Sequence, residues 1–106
     1  MNLQQLRYVH EVARRGLNVS EAAEALFTSQ PGVSKQIRLL ETELGIEIFT
    51  RHGKRLVAVT EPGRAVLAIA ERVLRDLDNL QQVGEEFANE AVGRLSIATT
   101  HTQARY

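Results

Sequence analysis

The chain has 106 residues, of which 43% are hydrophobic, and it carries 13 basic and 13 acidic side chains. This length supports one small domain with a modest core. Because the chain contains no cysteine, disulfides, thiolate metal sites and cysteine nucleophiles are excluded. No apolar run approaches the roughly 18 residues of a membrane span, and the N-terminus lacks the layout of a signal peptide. We therefore expect a cytoplasmic protein with no membrane partner.

The charge is unevenly distributed although its total is zero. Residues 28–60 hold five Lys or Arg side chains and three acidic ones, whereas residues 61–106 hold five and seven. Phosphate binding depends on a local basic patch and not on total charge. The counts for residues 28–60 therefore fit a nucleic-acid surface, but a solvated surface of mixed charge explains them equally well.

Residues 2–15 predict a first helix, and residues 19–27 predict a second, shorter one. Each begins with the residues of a capping box, Asn2 with Gln5 and Asn18 with Glu21. In the second helix, Ala22 and Ala23 are small enough to let a following helix cross closely. With the short connection at residues 27–29, this pattern indicates a helix-turn-helix.

Residues 30–44 predict the helix around which the chain is organised. Ser29 is a suitable N-cap, Pro31 lies in the first turn, and Gly45 follows where a left-handed residue ends a helix. One face is aliphatic, and it consists of Val33, Ile37, Leu40 and Leu44. The opposite face is polar and basic, and it consists of Gln30, Pro31, Ser34, Lys35, Arg38 and Thr42. This division predicts a recognition helix that enters a groove of a duplex.

Two short β-prone runs, residues 47–51 and 56–60, flank His52, Gly53, Lys54 and Arg55. The pattern predicts a small hairpin with a basic tip. Such a hairpin beside a recognition helix would serve as a wing over phosphates or the minor groove. The alternative is an irregular surface loop, because a hairpin this short is marginal without packing.

Residues 61–89 predict the longest helix, with Thr60 as its cap and Pro62 in its first turn. Its apolar residues step by four and three, as in a heptad seam, and they are Val66, Ala70, Val73, Leu77, Leu80, Gly84 and Phe87. A single helix cannot bury such a seam, so we expect a second copy of the chain to cover it. A helix lying along its own domain would explain the first half of the seam only.

The last residues predict the beginning of something larger. Residues 95–98 alternate like a strand, and the segment from Gly93 is too short to form a domain. We therefore expect three parts: residues 1–60 as a DNA-binding domain, 61–90 as a dimerisation helix, and 91–106 as the first strand of a truncated further domain.

These residues resemble the DNA-binding part of the LysR-type transcriptional regulators. The resemblance is carried by TSQPGVSKQIRLLETELG, LGIEIFTR and TEPG, which lie at residues 28–45, 44–51 and 60–63. It implies a mainly α winged helix-turn-helix, with a three-helix core and a short β-hairpin wing, followed by a linker helix that forms a homodimer. It also implies a C-terminal effector-binding domain and tetramers in the full-length protein.

Carried over position by position, the resemblance assigns roles in binding a dyad-symmetric double-stranded DNA site. The base-contacting residues would be Gln30, Pro31, Ser34 and Lys35. The wing arginine of the family would correspond approximately to Lys54 and Arg55. From the chemistry of the residues themselves, further backbone contacts are expected from Thr28, Ser29, Arg38 and Arg51. The heptad seam places the dimer interface at Val66, Ala70, Val73, Leu77, Leu80 and Phe87.

A finer similarity, in LNVSEAAEALFTSQPGVSKQIR and IATTHTQARY, is to the CysB-like subgroup, which controls genes of sulfur assimilation and cysteine synthesis. It implies that Thr100, Thr102 and Gln103 begin an effector pocket. The effector would be sulfate, another small anion or an acetylserine-type molecule, bound only by the full-length protein. No cofactor is implied.

Two other classes of function compete with DNA binding. The heptad seam also fits a coiled-coil protein-interaction module with a helical head. An enzyme is the least supported reading, because the carboxylates are scattered and no glycine-rich phosphate loop is present. His10, His52 and His101 have no nucleophile at an interpretable spacing, and His10 has no second metal ligand at helical spacing.

Overall fold

A computed structural model of the chain describes the backbone of residues 1–98 and the side chains of residues 1–90. The elements in chain order are α1 (Leu3–Arg14), α2 (Val19–Ala25), α3 (Gln30–Leu44), β1 (Phe49–His52), β2 (Arg55–Val59) and α4 (Glu61–Ala98). The chain divides into two compact units, Met1–Leu74, which we call the head, and a second unit that begins at Arg75. The predicted mainly α fold with one β-hairpin is confirmed.

Each helix begins at the cap that the sequence predicts, because a side-chain oxygen accepts a bond from a backbone N–H three residues later. The acceptors are Asn2, Asn18, Ser29 and Thr60, at 2.8, 2.9, 3.1 and 2.9 Å from their donors. The first predicted capping box is only half formed. The Gln5 side chain does not return to Asn2, and its Nε2 donates to Gln36 Oε1 at 3.1 Å. It thereby joins α1 to α3.

The core of the head lies between α1, α2, α3 and the beginning of the hairpin. Its fully buried side chains are Val9, Val12, Val33, Ile37, Leu40, Ile48 and Phe49. Burial of this apolar surface is the main force that holds the three helices together. The aliphatic face predicted for α3 is confirmed at Val33, Ile37 and Leu40, while Leu44 lies at its edge with 36% exposure.

The predicted hairpin is confirmed, because β1 and β2 pair in antiparallel fashion. The alternative of an irregular loop is wrong. The register of the hairpin runs from Phe49 opposite Val59 to His52 opposite Arg55. Gly53 begins the two-residue turn with a φ of 66°, a value that glycine adopts without steric cost. A register shift between Thr50 and Arg51 leaves Val57 as an extra residue in β2 and bends the hairpin locally.

The helix α4 continues to Ala98, so the predicted end near residue 89 and the predicted strand at residues 95–98 are wrong. A strand needs a neighbour to satisfy its backbone polar groups, whereas a helix satisfies them within one segment. Four alternating residues do not outweigh the continuation of a long helix. In the part of the chain that the structure describes, none of the helices has both the length and the apolar composition needed to cross a bilayer.

Candidate nucleic-acid interface

The first turns of α3 present their polar face to solvent. Gln30, Pro31, Ser34 and Lys35 are all exposed, while Val33 and Ile37 on the other face are at most 1% exposed. The buried face therefore fixes the direction in which the polar face points. Ser29 is exposed and serves as the N-cap, and Thr28 before it is partly buried.

The polar face of α3 and the hairpin form the two walls of one groove, which we call the basic groove. It has a volume of about 390 Å³. Its functional lining brings together most of the predicted contacts, namely Gln30, Pro31, Ser34, Arg38, Arg51 and Lys54. None of the described residues that line it is acidic. The fold thus places the amide, hydroxyl and guanidinium groups of α3 beside Arg51 and Lys54, which belong to the hairpin.

A second groove of about 370 Å³ connects the start of α2 to the tip of the hairpin. Gln30, Lys54 and Arg55 line it together with Asn18 and Ser20. Ser20 Oγ donates to Gln30 Oε1 at 2.9 Å. Because this bond holds the amide oxygen, the two N–H groups of Gln30 Nε2 are left to donate to a ligand. Lys35 is exposed but lines neither groove.

Among the predicted phosphate contacts, Arg51 is a cation that is already paired with a carboxylate. Its Nη2 lies 2.9 Å from Glu41 Oε1, and the two side chains are 16% and 6% exposed. Glu41 Oε2 also accepts from the backbone N–H groups of Ile48, at 2.8 Å, and Phe49, at 3.2 Å. Arg51 therefore lines the basic groove and at the same time forms an ion pair with the buried carboxylate of Glu41.

Glu41 is one of the three acidic residues between residues 28 and 60, and the charge count by itself assigns it no place in the fold. A signal for its burial was present, since Glu41 follows Ile37 by four residues and therefore lies on the buried face of α3. A charged residue within an aliphatic face is rarely buried without a partner. Nothing local identified that partner, because Arg51 lies ten residues further along the chain.

The predicted dimer interface is only partly available to a second chain. Ala70 is 0% exposed within its own chain, so its assignment to the interface is wrong. Val66 packs against the core of the head, and Val73 and Leu77 are partly buried. In the second unit, Leu80 and Phe87 are 67% and 65% exposed.

Two exposed apolar residues of α4 were missing from the predicted interface. They are Ile69 in the head and Val83 in the second unit, with exposures of 55% and 47%. Val83 lies three residues from Leu80 and therefore shares its side of the helix. Neither residue occupies a position of the heptad seam, so the heptad pattern did not predict them as interface residues.

Other predicted features concern ligands. Thr100, Thr102 and Gln103 lie outside the described residues. Among the side chains that the structure describes, no group of three His, Cys, Asp or Glu residues is placed to hold a metal ion.

Comparison with known proteins identifies the family. Residues 3–64 match the family described as "Bacterial regulatory helix-turn-helix protein, lysR family". The HTH-type transcriptional regulator CysB of Burkholderia cenocepacia is 58% identical over 106 residues, which are 100% of this chain and 34% of that protein. The CysB regulator of Thiocapsa roseopersicina is 43% identical, and the match covers 100% of this chain and 78% of that protein.

A solved structure of the same architecture contains DNA. The crystal structure of the BenM DBD–benA site 1 DNA complex has a TM-score of 0.75 and 31% sequence identity, covering 83% of this chain and 97% of that one. The chain spans about a third of the length of the first CysB relative. The family match and the shared fold lead to one conclusion: the chain belongs to the lysR family of bacterial regulatory helix-turn-helix proteins.

Proposed function

We propose that this chain is the DNA-binding part of a LysR-type transcriptional regulator and that two copies bind a dyad-symmetric duplex. The observation that carries the proposal is the basic groove, in which the exposed face of α3 lies beside the tip of the hairpin. An α-helix fits the major groove of B-DNA, and a basic hairpin beside it can contact phosphates.

Within this site we assign two kinds of contact. Gln30 and Ser34 would bond to base edges, Pro31 would contact a thymine methyl, and Lys35 would reach a base acceptor. Arg38, Lys54 and Arg55, with Thr28 and Ser29, would hold phosphates and set the register. Arg51 would add to the same positive surface from its place beside Glu41.

The exposed apolar residues of the second unit support the proposal that two copies of the chain associate. Within the described part of the chain, Leu80, Val83 and Phe87 remain exposed on a helix that has no other element of its unit to pack against. Two such helices would bury one another's apolar sides. A coiled-coil interaction module remains the second candidate function, and the same exposed residues favour it.

For the whole protein we propose control of genes for sulfur assimilation and cysteine synthesis, supported by the identity to CysB. A further domain would bind sulfate, another small anion or an acetylserine-type effector, with Thr100, Thr102 and Gln103 at its beginning. We further propose that the full-length protein forms tetramers, acts in the cytoplasm without a cofactor, and binds DNA without catalysing a reaction.

The division between base and phosphate contacts can be tested with three variants. Gln30→Ala or Ser34→Ala should cost about 1–3 kcal/mol on the specific site and little on random DNA. Arg55→Ala should weaken binding to both and should lower the slope of affinity against salt by about one. The measurement is titration of labelled duplexes at several salt concentrations, after selection of the preferred site from a random pool.

Arg7→Ala is the matched control, because Arg7 is exposed on α1 and lines neither groove. It should leave both affinities unchanged. Equal losses on specific and random DNA for all three test variants would reject the assigned roles. Failure of the pool to yield any preferred sequence would reject sequence-specific binding.

Self-association through α4 can be tested with Leu80→Asp. A buried carboxylate without a partner is strongly unfavourable, so sedimentation should show monomers and affinity for the dyad should fall far more than for a half-site. Gln82→Asp introduces the same charge at an exposed polar position about 200° around the helix, and it should change neither. If Leu80→Asp sediments like the wild-type chain, the proposed dimerisation through this side of α4 is rejected. Monomers that keep full affinity for the dyad would favour the interaction module.

A further inference from the structure

We infer that Glu41 is a positioning residue for the wing: it fixes the hairpin against α3 and so keeps Lys54 and Arg55 in register with Gln30 and Ser34. The inference rests on the proposed function, because the register matters only if both walls of the basic groove contact one duplex. It assigns a DNA-binding role to a side chain that does not touch DNA.

The geometry of Glu41 carries the inference. Oε2 accepts from the N–H groups of Ile48 and Phe49 at 2.8 and 3.2 Å, and from Arg51 Nη1 at 3.3 Å. Oε1 lies 2.9 Å from Arg51 Nη2. One carboxylate on α3 therefore holds the backbone where the chain enters β1 and a side chain within β1. Bonds between an ionised acceptor and several donors are among the stronger hydrogen bonds in proteins.

The position of these bonds explains why they matter for the wing. A two-stranded hairpin is marginally stable by itself, and this one contains a register shift between Thr50 and Arg51. Phe49 is 0% exposed and anchors the base of the hairpin by packing. Beyond Phe49, two attachments lie next toward the tip, namely the bond from Arg51 to Glu41 and the packing of Leu56, which stands opposite Arg51, against the core. Losing the bond would loosen the tip, because only the packing of one partly buried side chain would remain there.

Stability alone is a poor reason for a buried ion pair at this place. Taking two charges out of water costs free energy that their attraction only partly returns, and an apolar pair of similar volume is often at least as stable. An apolar pair lacks the directional hydrogen bonds that orient one element relative to another. The carboxylate sets both the distance and the orientation of β1 relative to α3, and these two elements form the walls of the basic groove.

Glu41→Gln tests the inference, because it keeps the shape of the side chain and removes its charge. We expect about tenfold weaker binding to the selected duplex and a salt slope lowered toward that of Arg55→Ala. Glu43→Gln is the matched control. Glu43 lies on the same helix, its side chain is 50% exposed, and its loss should leave the salt slope unchanged.

A double-mutant cycle separates positioning from a general effect on folding. If Glu41 acts by holding the wing charges in place, Arg55→Ala should cost much less in the Glu41→Gln background than in the wild-type chain. Equal costs of Arg55→Ala in both backgrounds would overturn the inference. An unchanged salt slope in Glu41→Gln would also overturn it.

Arg51→Met is the second variant, should Glu41→Gln fail to fold. It leaves the two backbone N–H groups bonded to Glu41, and we expect the same non-additivity with Arg55→Ala. If Arg51 acted only by contacting phosphate directly, the two losses would add. That result would overturn the inference while leaving DNA binding intact.

Hydrogen exchange in the free protein gives a readout that does not depend on DNA. In Glu41→Gln the backbone N–H groups of β1 and β2 should exchange faster, while those of α1 should be unchanged. Unchanged exchange in the hairpin would overturn the inference even if affinity fell. A wild-type chain that binds no duplex would reject the proposed function and the inference with it, an outcome distinct from the others.

Discussion

The head and the second unit contain similar apolar patterns, but the apolar side chains are buried in the head and exposed in the second unit. In the head, α1, α2, α3, the hairpin and the first part of α4 cover one another, and Val9, Ile37 and Phe49 are at most 1% exposed. In the second unit, the described residues form one helix, and Leu80 and Phe87 are about two-thirds exposed. The comparison teaches that periodicity defines which side of a helix is apolar, while burial depends on a second surface that covers it.

The largest expected effects come from a pair of phenylalanines, one in each region. Phe49→Ala should lower the free energy of unfolding of the head by about 3–5 kcal/mol, because it leaves a cavity in a closed core. Phe87→Ala removes the same group from an exposed position, so its effect on the head should stay within about 0.5 kcal/mol. Guanidinium unfolding followed by circular dichroism measures both.

Phe87→Ala should instead weaken self-association, which concentration-dependent sedimentation detects. Equal destabilisation by the two variants would break the comparison, because it would show that Phe87 is as well covered as Phe49 within one folded unit.

A pair of glycines gives smaller effects of opposite sign. A Cβ on Gly63 would lie 2.1 Å from the carbonyl oxygen of Ile48, and that oxygen is held at 3.0 Å by the N–H of Thr60. Gly63→Ala should therefore destabilise the head by about 1–3 kcal/mol. A Cβ on Gly84 meets nothing within 4 Å, so Gly84→Ala should stabilise its helix by about 0.5–1 kcal/mol.

Thermal unfolding and helix content measured by circular dichroism check both glycine variants. Gly84→Ala also sharpens the account of the second unit. If it raises helix content but weakens self-association, a partner helix approaches α4 closely at this residue. Stabilisation by Gly63→Ala would contradict the packing of α4 against the residues before β1.

The smallest expected effect concerns acid sensitivity. Burial raises the pKa of Glu11, but the hydrogen bonds from Arg15 and Arg14 outweigh it, so the pKa lies below its ordinary value of 4.5. A lowered pKa in the folded state adds stability that is complete above the ordinary pKa and is lost as the pH falls through the lowered one.

Glu11→Gln should therefore destabilise the head near neutral pH and differ less from the wild type in acid. Glu86→Gln, at an exposed position of the second unit, should show no such dependence. Thermal unfolding across the acid range is the measurement. A constant difference for Glu11→Gln would contradict the role of its charge.

Several features of the site could be predicted from the sequence because they are local. The helix from Gln30 to Leu44, its cap at Ser29 and its end at Gly45 all depend on residues within one helical turn of each other. The exposed face that carries Gln30 and Ser34 follows from the periodicity of Val33, Ile37 and Leu40. The basic tip of the hairpin follows from its glycine turn and flanking strands.

Other features required contacts between distant residues. The pairing of Glu41 with Arg51 and the burial of Ala70 were not foreseen, because each depends on which surface packs opposite that residue. The strand expected at residues 95–98 was wrong for a related reason. A short alternating pattern specifies a strand only when another strand lies beside it.

The sequence by itself determined where the helices of the head begin and which side of each is apolar, since caps and periodicity act over three or four residues. Only the tertiary structure decided which apolar side chains are covered, which arginine is held by a carboxylate, and that α3 and the hairpin share one groove. These depend on long-range packing, in which the free energy of a group is set by its neighbours in space and not by its neighbours in the chain.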